Sequence, residues 1–184
     1  MNFNLPNLLS LGRMALIPLF VIAVLEGKLS QALWIFAIAG ISDALDGFIA
    51  RFWKQQTVLG AYLDPAADKL LLVSSYVVLS IPGLHAGYVI PAWITALVIT
   101  RDVVIVVVAL LLYLASNVSR FPPSWLSKVN TGVQVGTVAV VLLSGVQPRL
   151  ESTALAASYA VALLTVASGV DYIVRANRMA GERE

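Results

Sequence analysis

Cysteine is absent from the chain, which excludes a disulfide framework and any thiolate-held metal. Histidine occurs once, at His85, so no histidine cluster can form. A bound metal would have to be held by oxygen, which points to Mg²⁺, Mn²⁺ or Ca²⁺. Charge is scarce too: only 12% of the 184 residues are Asp, Glu, Lys or Arg, against roughly 25% in an ordinary soluble domain. The formal net charge of +2 carries no signal for nucleic acid, and no nucleic-acid partner is expected. The first residues, Met1 to Pro6, lack the basic region and the cleavage site of a signal peptide and the Arg/Ser-rich look of a transit peptide. The first apolar run is therefore expected to be a retained helix.

What the chain has in abundance is apolar surface, with 59% of its residues hydrophobic. A soluble fold of this length cannot bury that much, so the bilayer is the natural solvent. Six runs approach the about 20 residues a membrane helix needs: 7–25, 30–52, 60–81, 88–115, 126–145 and 153–175. Glu26-Gly27-Lys28, the polar 54–57 stretch, Pro82-Gly83, the 117–124 stretch with Pro122-Pro123, and Gln147-Pro148 punctuate them. The expected fold class is an all-α integral membrane protein of six transmembrane helices, a single domain over 1–184 with a short mobile tail after about 176. Arg51, Lys54, Arg120, Lys128, Arg175, Arg178 and Arg183 fall in the even loops and the tail, against Lys28 and Arg149 in the odd loops. That bias places both termini and the second loop in the cytoplasm. Trp34, Trp93 and Trp125 near span ends suit interfacial anchors.

Arg13, Asp43, Asp46, Asp64, Asp68, Lys69, Arg101 and Asp102 all lie inside apolar runs. Each such charge costs about 2.5–3.5 kcal/mol near a bilayer centre, so they must meet one another or a ligand. Buried ion pairs that merely hold helices together are the plainer explanation. Against it, four carboxylates within the 26 residues from Asp43 to Asp68 exceed what helix gluing requires. Asp43 and Asp46 share one face of the second helix, as do Asp64 and Asp68 of the third. A short loop makes the two helices a hairpin. At 1.5 Å rise per residue, Asp43 and Asp68 both lie ~12 Å in from that loop, at a common depth. Four carboxylates there suit divalent metal and a substrate with a polar head and acyl tails. Gly47 is either ordinary small-residue packing or room for a ligand. Gly60 opens the third helix as a turn residue.

The pattern Asp43-x2-Asp46-Gly47-x2-Ala50-Arg51-x8-Gly60-x3-Asp64-x3-Asp68 resembles, at every specified position and gap, the signature of the CDP-alcohol phosphatidyltransferases. The resemblance implies transfer of a phosphatidyl group from a CDP-linked lipid to an alcohol with release of CMP, two Mg²⁺ or Mn²⁺ ions, and a homodimer. It implies that Asp43, Asp46, Asp64 and Asp68 bind the metals, that Asp68 is also the catalytic base, and that Gly47, Arg51 and Gly60 contact the CDP-lipid.

The stretch Leu5 to Arg13, including Asn7, looks like the opening of phosphatidylglycerophosphate synthases and of eukaryotic-type cardiolipin synthases. This implies CDP-diacylglycerol as donor. The missing transit-peptide pattern favours a bacterial inner membrane, and the basic bias puts the active site on the cytoplasmic side. Arg13 suits equally a side chain snorkelling to the interface. Thr100-Arg101-Asp102-Val103-Val104 and Ser127-Lys128-Val129-Asn130-Thr131 lean towards the cardiolipin branch, because the glycerophosphate branch carries further positive charge at both places. Phosphatidylglycerol, a monoanion with its own tails, needs fewer basic partners than the dianion glycerol 3-phosphate. Arg101 and Lys128 are thus the expected acceptor-phosphate residues, with Asn130 beside them, although Arg101-Asp102 also suits an internal ion pair. A divalent-cation transporter is the competing non-enzyme class. Arg51, Lys69 and Arg101 would repel cations, which argues against it.

Overall fold

The computed structural model describes residues 5–53, 58–116 and 124–181, with side chains at 11–43, 66–110, 114, 124–175 and 177. Among these the regular elements are helical: α1 (Leu5–Leu25), α2 (Leu29–Trp53), α3 (Val58–Leu79), α4 (Ala92–Ser116), α5 (Trp125–Ser144) and α6 (Glu151–Gly181), with a 3₁₀ turn at Pro148–Leu150. The shortest, α5, has 20 residues and so reaches about 30 Å, the thickness of a bilayer core. Three described stretches are long and apolar enough to cross a membrane: Ala92–Leu110, Trp125–Ser144 and Pro148–Arg175. Leu11–Leu25 and Leu29–Asp43 are shorter apolar helical stretches.

Local chemistry explains the boundaries. The fourth helix begins at Ala92, not at Tyr88 as the apolar run suggested. Pro91 disfavours the α-conformation in Ile90, and the Ile90 amide instead donates to the Leu79 carbonyl at 3.0 Å. At α5 the Ser124 hydroxyl caps the Ser127 amide. The charged tail expected after Arg175 is not a separate segment at its start, because α6 continues to Gly181. An Asp171–Arg175 ion pair, four residues apart at 3.0 Å, supports that last stretch.

α1 packs on α2 and α3, and α6 packs on α4 and α5. α5 also touches α2 and α3, so it joins the two halves. Phe20, Val24, Phe36, Tyr76, Leu79, Ile94, Val138 and Leu142 lie in one buried apolar cluster, with the Phe20 and Phe36 rings 6.0 Å apart. A polar seam runs beside it: Asn130, Gln134, Thr137, Ser144, Ser158, Thr165 and Ser168 are all buried. Thr165 donates to Asn130 Oδ1 at 3.3 Å, and Thr137 to the Ala157 carbonyl at 3.4 Å. Such small polar groups hold helices together where both sides are otherwise apolar. The outer surface is the reverse, with Trp34, Val106, Leu110, Leu114, Leu163 and Val170 exposed.

Candidate active site

The site is built where α1, α2 and α3 meet. α2 supplies Asp43 and α3 supplies Asp68. Each carboxylate is partly exposed, and each presents Oδ1 to the same atom, Nη1 of Arg13 on α1. Arg13 Nη1 stands 2.9 Å from Asp43, and it also donates to Asp68. The arginine side chain is fully enclosed. Sequence reasoning allowed Arg13 to snorkel to the interface. Instead it is 1% exposed and serves the aspartates, because a buried guanidinium without counter-charge would be costly.

The hairpin expectation is also refined. Asp43 and Asp68 come together as expected, but through α1: α2 and α3 each pack on α1 and α5. Beside the two carboxylates lies a cavity of about 200 Å³ whose lining includes Ala39, Gly40 and, from α5, Thr131. Sequence reasoning did not single out Thr131, although it stands in the Ser127–Thr131 stretch read for the acceptor.

Asp46, Gly47 and Arg51 stand on α2, Gly60 and Asp64 on α3, and Asn7 on α1. Their side chains lie outside the described residues. Both helices are continuous through the signature, so the backbone positions of Asp46 and Asp64 are one turn from Asp43 and Asp68. Among the described residues no three acidic or imidazole side chains come together, so Asp43 and Asp68 are the described half of the expected set. The donor chemistry fits a hard divalent ion. Two carboxylate oxygens from different helices already converge on one cationic nitrogen, and their two negative charges exceed the single positive charge of Arg13.

A second charged cluster ties four helices together. Arg101 on α4 donates from Nε to Ser168 on α6 at 3.1 Å, from Nη2 to Ser127 on α5 at 2.7 Å, and from Nη1 to Asp102 at 3.0 Å. Lys69 on α3, next to Asp68, holds the other oxygen of Asp102 at 2.6 Å. The internal Arg101–Asp102 pair is therefore present. Lys128 is exposed, and Asn130 is buried against Thr165. Lys69 and Asp102 were visible as charges in apolar runs. Nothing in the sequence marked Ser168.

Apolar outer faces, buried small polar residues and charges gathered inside the bundle define an integral membrane protein with a charged site between its helices. Residues 3–170 match the family described as CDP-alcohol phosphatidyltransferase. A probable phosphatidylglycerophosphate synthase of Mycobacterium tuberculosis is 36% identical over 184 residues, covering 97% of this chain and 84% of its own. A CDP-diacylglycerol--glycerol-3-phosphate 3-phosphatidyltransferase of Pectobacterium atrosepticum is 38% identical over 180 residues, 94% of each chain. A cardiolipin synthase (CMP-forming) of Rattus norvegicus is 37% identical over 162 residues, 78% of this chain and 51% of that protein. The chain belongs to the CDP-alcohol phosphatidyltransferase family and is an enzyme of that class.

Proposed function

We propose that this enzyme transfers the phosphatidyl group of CDP-diacylglycerol to phosphatidylglycerol, giving cardiolipin and CMP. The observation that carries the transferase chemistry is the convergence of Asp43 and Asp68, from two helices, on one cation. Asp43, Asp46, Asp64 and Asp68 would hold Mg²⁺ or Mn²⁺. When bound, the ions neutralise the pyrophosphate and polarise the phosphorus under attack. Gly47, Arg51 and Gly60 bind the CDP portion. The acceptor hydroxyl oxygen forms a bond to the phosphatidyl phosphorus while the bond from that phosphorus to the CMP oxygen breaks. Asp68 takes the hydroxyl proton, and CMP leaves with the bonding electrons.

The acceptor reading is supported by the state of the nearby positive groups. Arg101 spends all three guanidinium nitrogens on Ser168, Ser127 and Asp102, and Lys69 is engaged by Asp102. Among the described residues, a dianion such as glycerol 3-phosphate would find little uncommitted positive charge there besides Lys128. A lipid phosphodiester carries one charge and gains affinity from its tails. Lys128 then meets its phosphate, while Arg101, engaged by Ser127, Ser168 and Asp102, and Asn130 support the helix contacts behind it. The second reading takes glycerol 3-phosphate as acceptor, and the length-matched bacterial relatives with that name favour it. The six helices span the inner membrane with both termini and the site on the cytoplasmic side, and the enzyme works as a homodimer.

The test supplies purified enzyme, CDP-diacylglycerol and Mn²⁺ with either acceptor in turn. CMP and cardiolipin are expected with phosphatidylglycerol. CMP release with glycerol 3-phosphate alone would replace this reading with the second.

A further inference from the structure

We propose that Arg13 is a resident counter-ion of the aspartate site, a fixed positive charge that competes with a divalent cation for Asp43 and Asp68. The inference rests on the metal-binding reading above and adds a residue outside the signature to it. Three observations carry it. One nitrogen, Nη1, contacts the Oδ1 atoms of both Asp43 and Asp68, so the guanidinium already engages two of the oxygens that a metal would need. The side chain is fully enclosed while both carboxylates are partly exposed, so the cation approaches from the protein side and leaves their outer faces open to the cavity. Arginine stays protonated at any working pH, so this positive charge is permanent.

The physical consequence is competition. Without a cation, the Asp43 and Asp68 carboxylates would repel each other in a poorly hydrated site. Arg13 relieves that repulsion and keeps α1, α2 and α3 assembled before metal arrives. An incoming ion must then displace Nη1 from both oxygens or bind against its charge, and either lowers the affinity for metal alone. Turned from these two oxygens, the guanidinium is a positive group able to donate hydrogen bonds to phosphate oxygens of the pyrophosphate.

The test measures Mn²⁺ binding to the purified full-length protein in detergent by the electron paramagnetic resonance signal of free Mn²⁺, with no substrate and no turnover. Arg13→Gln should lower the Mn²⁺ dissociation constant about tenfold, because a unit charge within contact distance of the ligands is gone. Arg13→Lys keeps the charge and should stay near wild type, whereas Asp43→Asn should weaken binding. An unchanged or weaker Mn²⁺ affinity in Arg13→Gln would overturn the proposal. Should Arg13→Gln fail to fold, ¹³Cζ-arginine NMR of the unaltered protein, with Arg13→Lys to assign the signal, reads the same event. The Arg13 resonance should shift on saturation with Mg²⁺, and a resonance that stays put while metal binds would contradict displacement. Absence of Mn²⁺ binding in wild type would strike down the metal site itself and this inference with it.

Discussion

Arg101 has three kinds of guanidinium nitrogen and a partner for each, drawn from its own helix and from two others. Its neighbour Asp102 is held from the far side by Lys69. A chain of this kind need not stabilise the fold more than well-packed apolar residues would, because burying the charges costs several kcal/mol per ion. Breaking it is another matter. Arg101→Gln leaves Asp102, whose side chain is only 10% exposed, with half its compensation, and removes the donors that Ser127 and Ser168 accept from. We expect a loss of about 3 kcal/mol, read as a lower melting temperature in detergent. The exposed Lys128→Gln should stay within about 0.5 kcal/mol of wild type. Equal melting points for the two variants would mean that the Arg101 cluster is not closed in solution.

Between elements, the α3–α4 connection approaches the end of α5 closely. Gly87 has a positive φ of 82°, and a Cβ there would lie 2.6 Å from the Gly145 nitrogen. The next amide, Tyr88, donates to Ser144 Oγ at 3.1 Å. Gly83 shares the positive φ, at 77°, but has open space around it. Alanine at Gly83 should therefore cost only the left-handed backbone strain, about 1–2 kcal/mol. Gly87→Ala should cost more, since backbone must also move, and a melting point no lower than that of Gly83→Ala would refute the contact. This level of structure was only partly legible beforehand. The helices follow from the apolar runs, and the Pro91 boundary follows from backbone sterics. Which helix packs on which does not, because outer apolar faces look alike along the chain. Nothing in the α3–α4 segment announces that it rests on Gly145.

Across the whole molecule the usual polarity of a protein is inverted. Val106, Leu114 and Leu163 stand outward at 66%, 70% and 74% exposure, while Gln134, Ser158, Thr165 and Ser168 are buried. In lipid the apolar faces belong outside, and Thr165 and Ser168 find partners inside the bundle in Asn130 and Arg101. The aspartate signature was legible because its carboxylates recur at helical spacing in two adjacent helices. The role of Arg13 was not, since its partner Asp68 lies 55 residues away and only folding shows that α1 enters between α2 and α3. In the proposed reaction these carboxylates carry out the phosphatidyl transfer, with Asp68 taking the proton. The direct measurement is Mn²⁺-dependent CMP release from CDP-diacylglycerol by wild type and by Asp68→Asn, with binding of the CDP-lipid followed in parallel. The expected result is a loss of turnover of at least about 10²-fold in Asp68→Asn with metal-dependent CDP-lipid binding retained. Wild-type rates of CMP release from Asp68→Asn would mean that Asp68 does not take the proton.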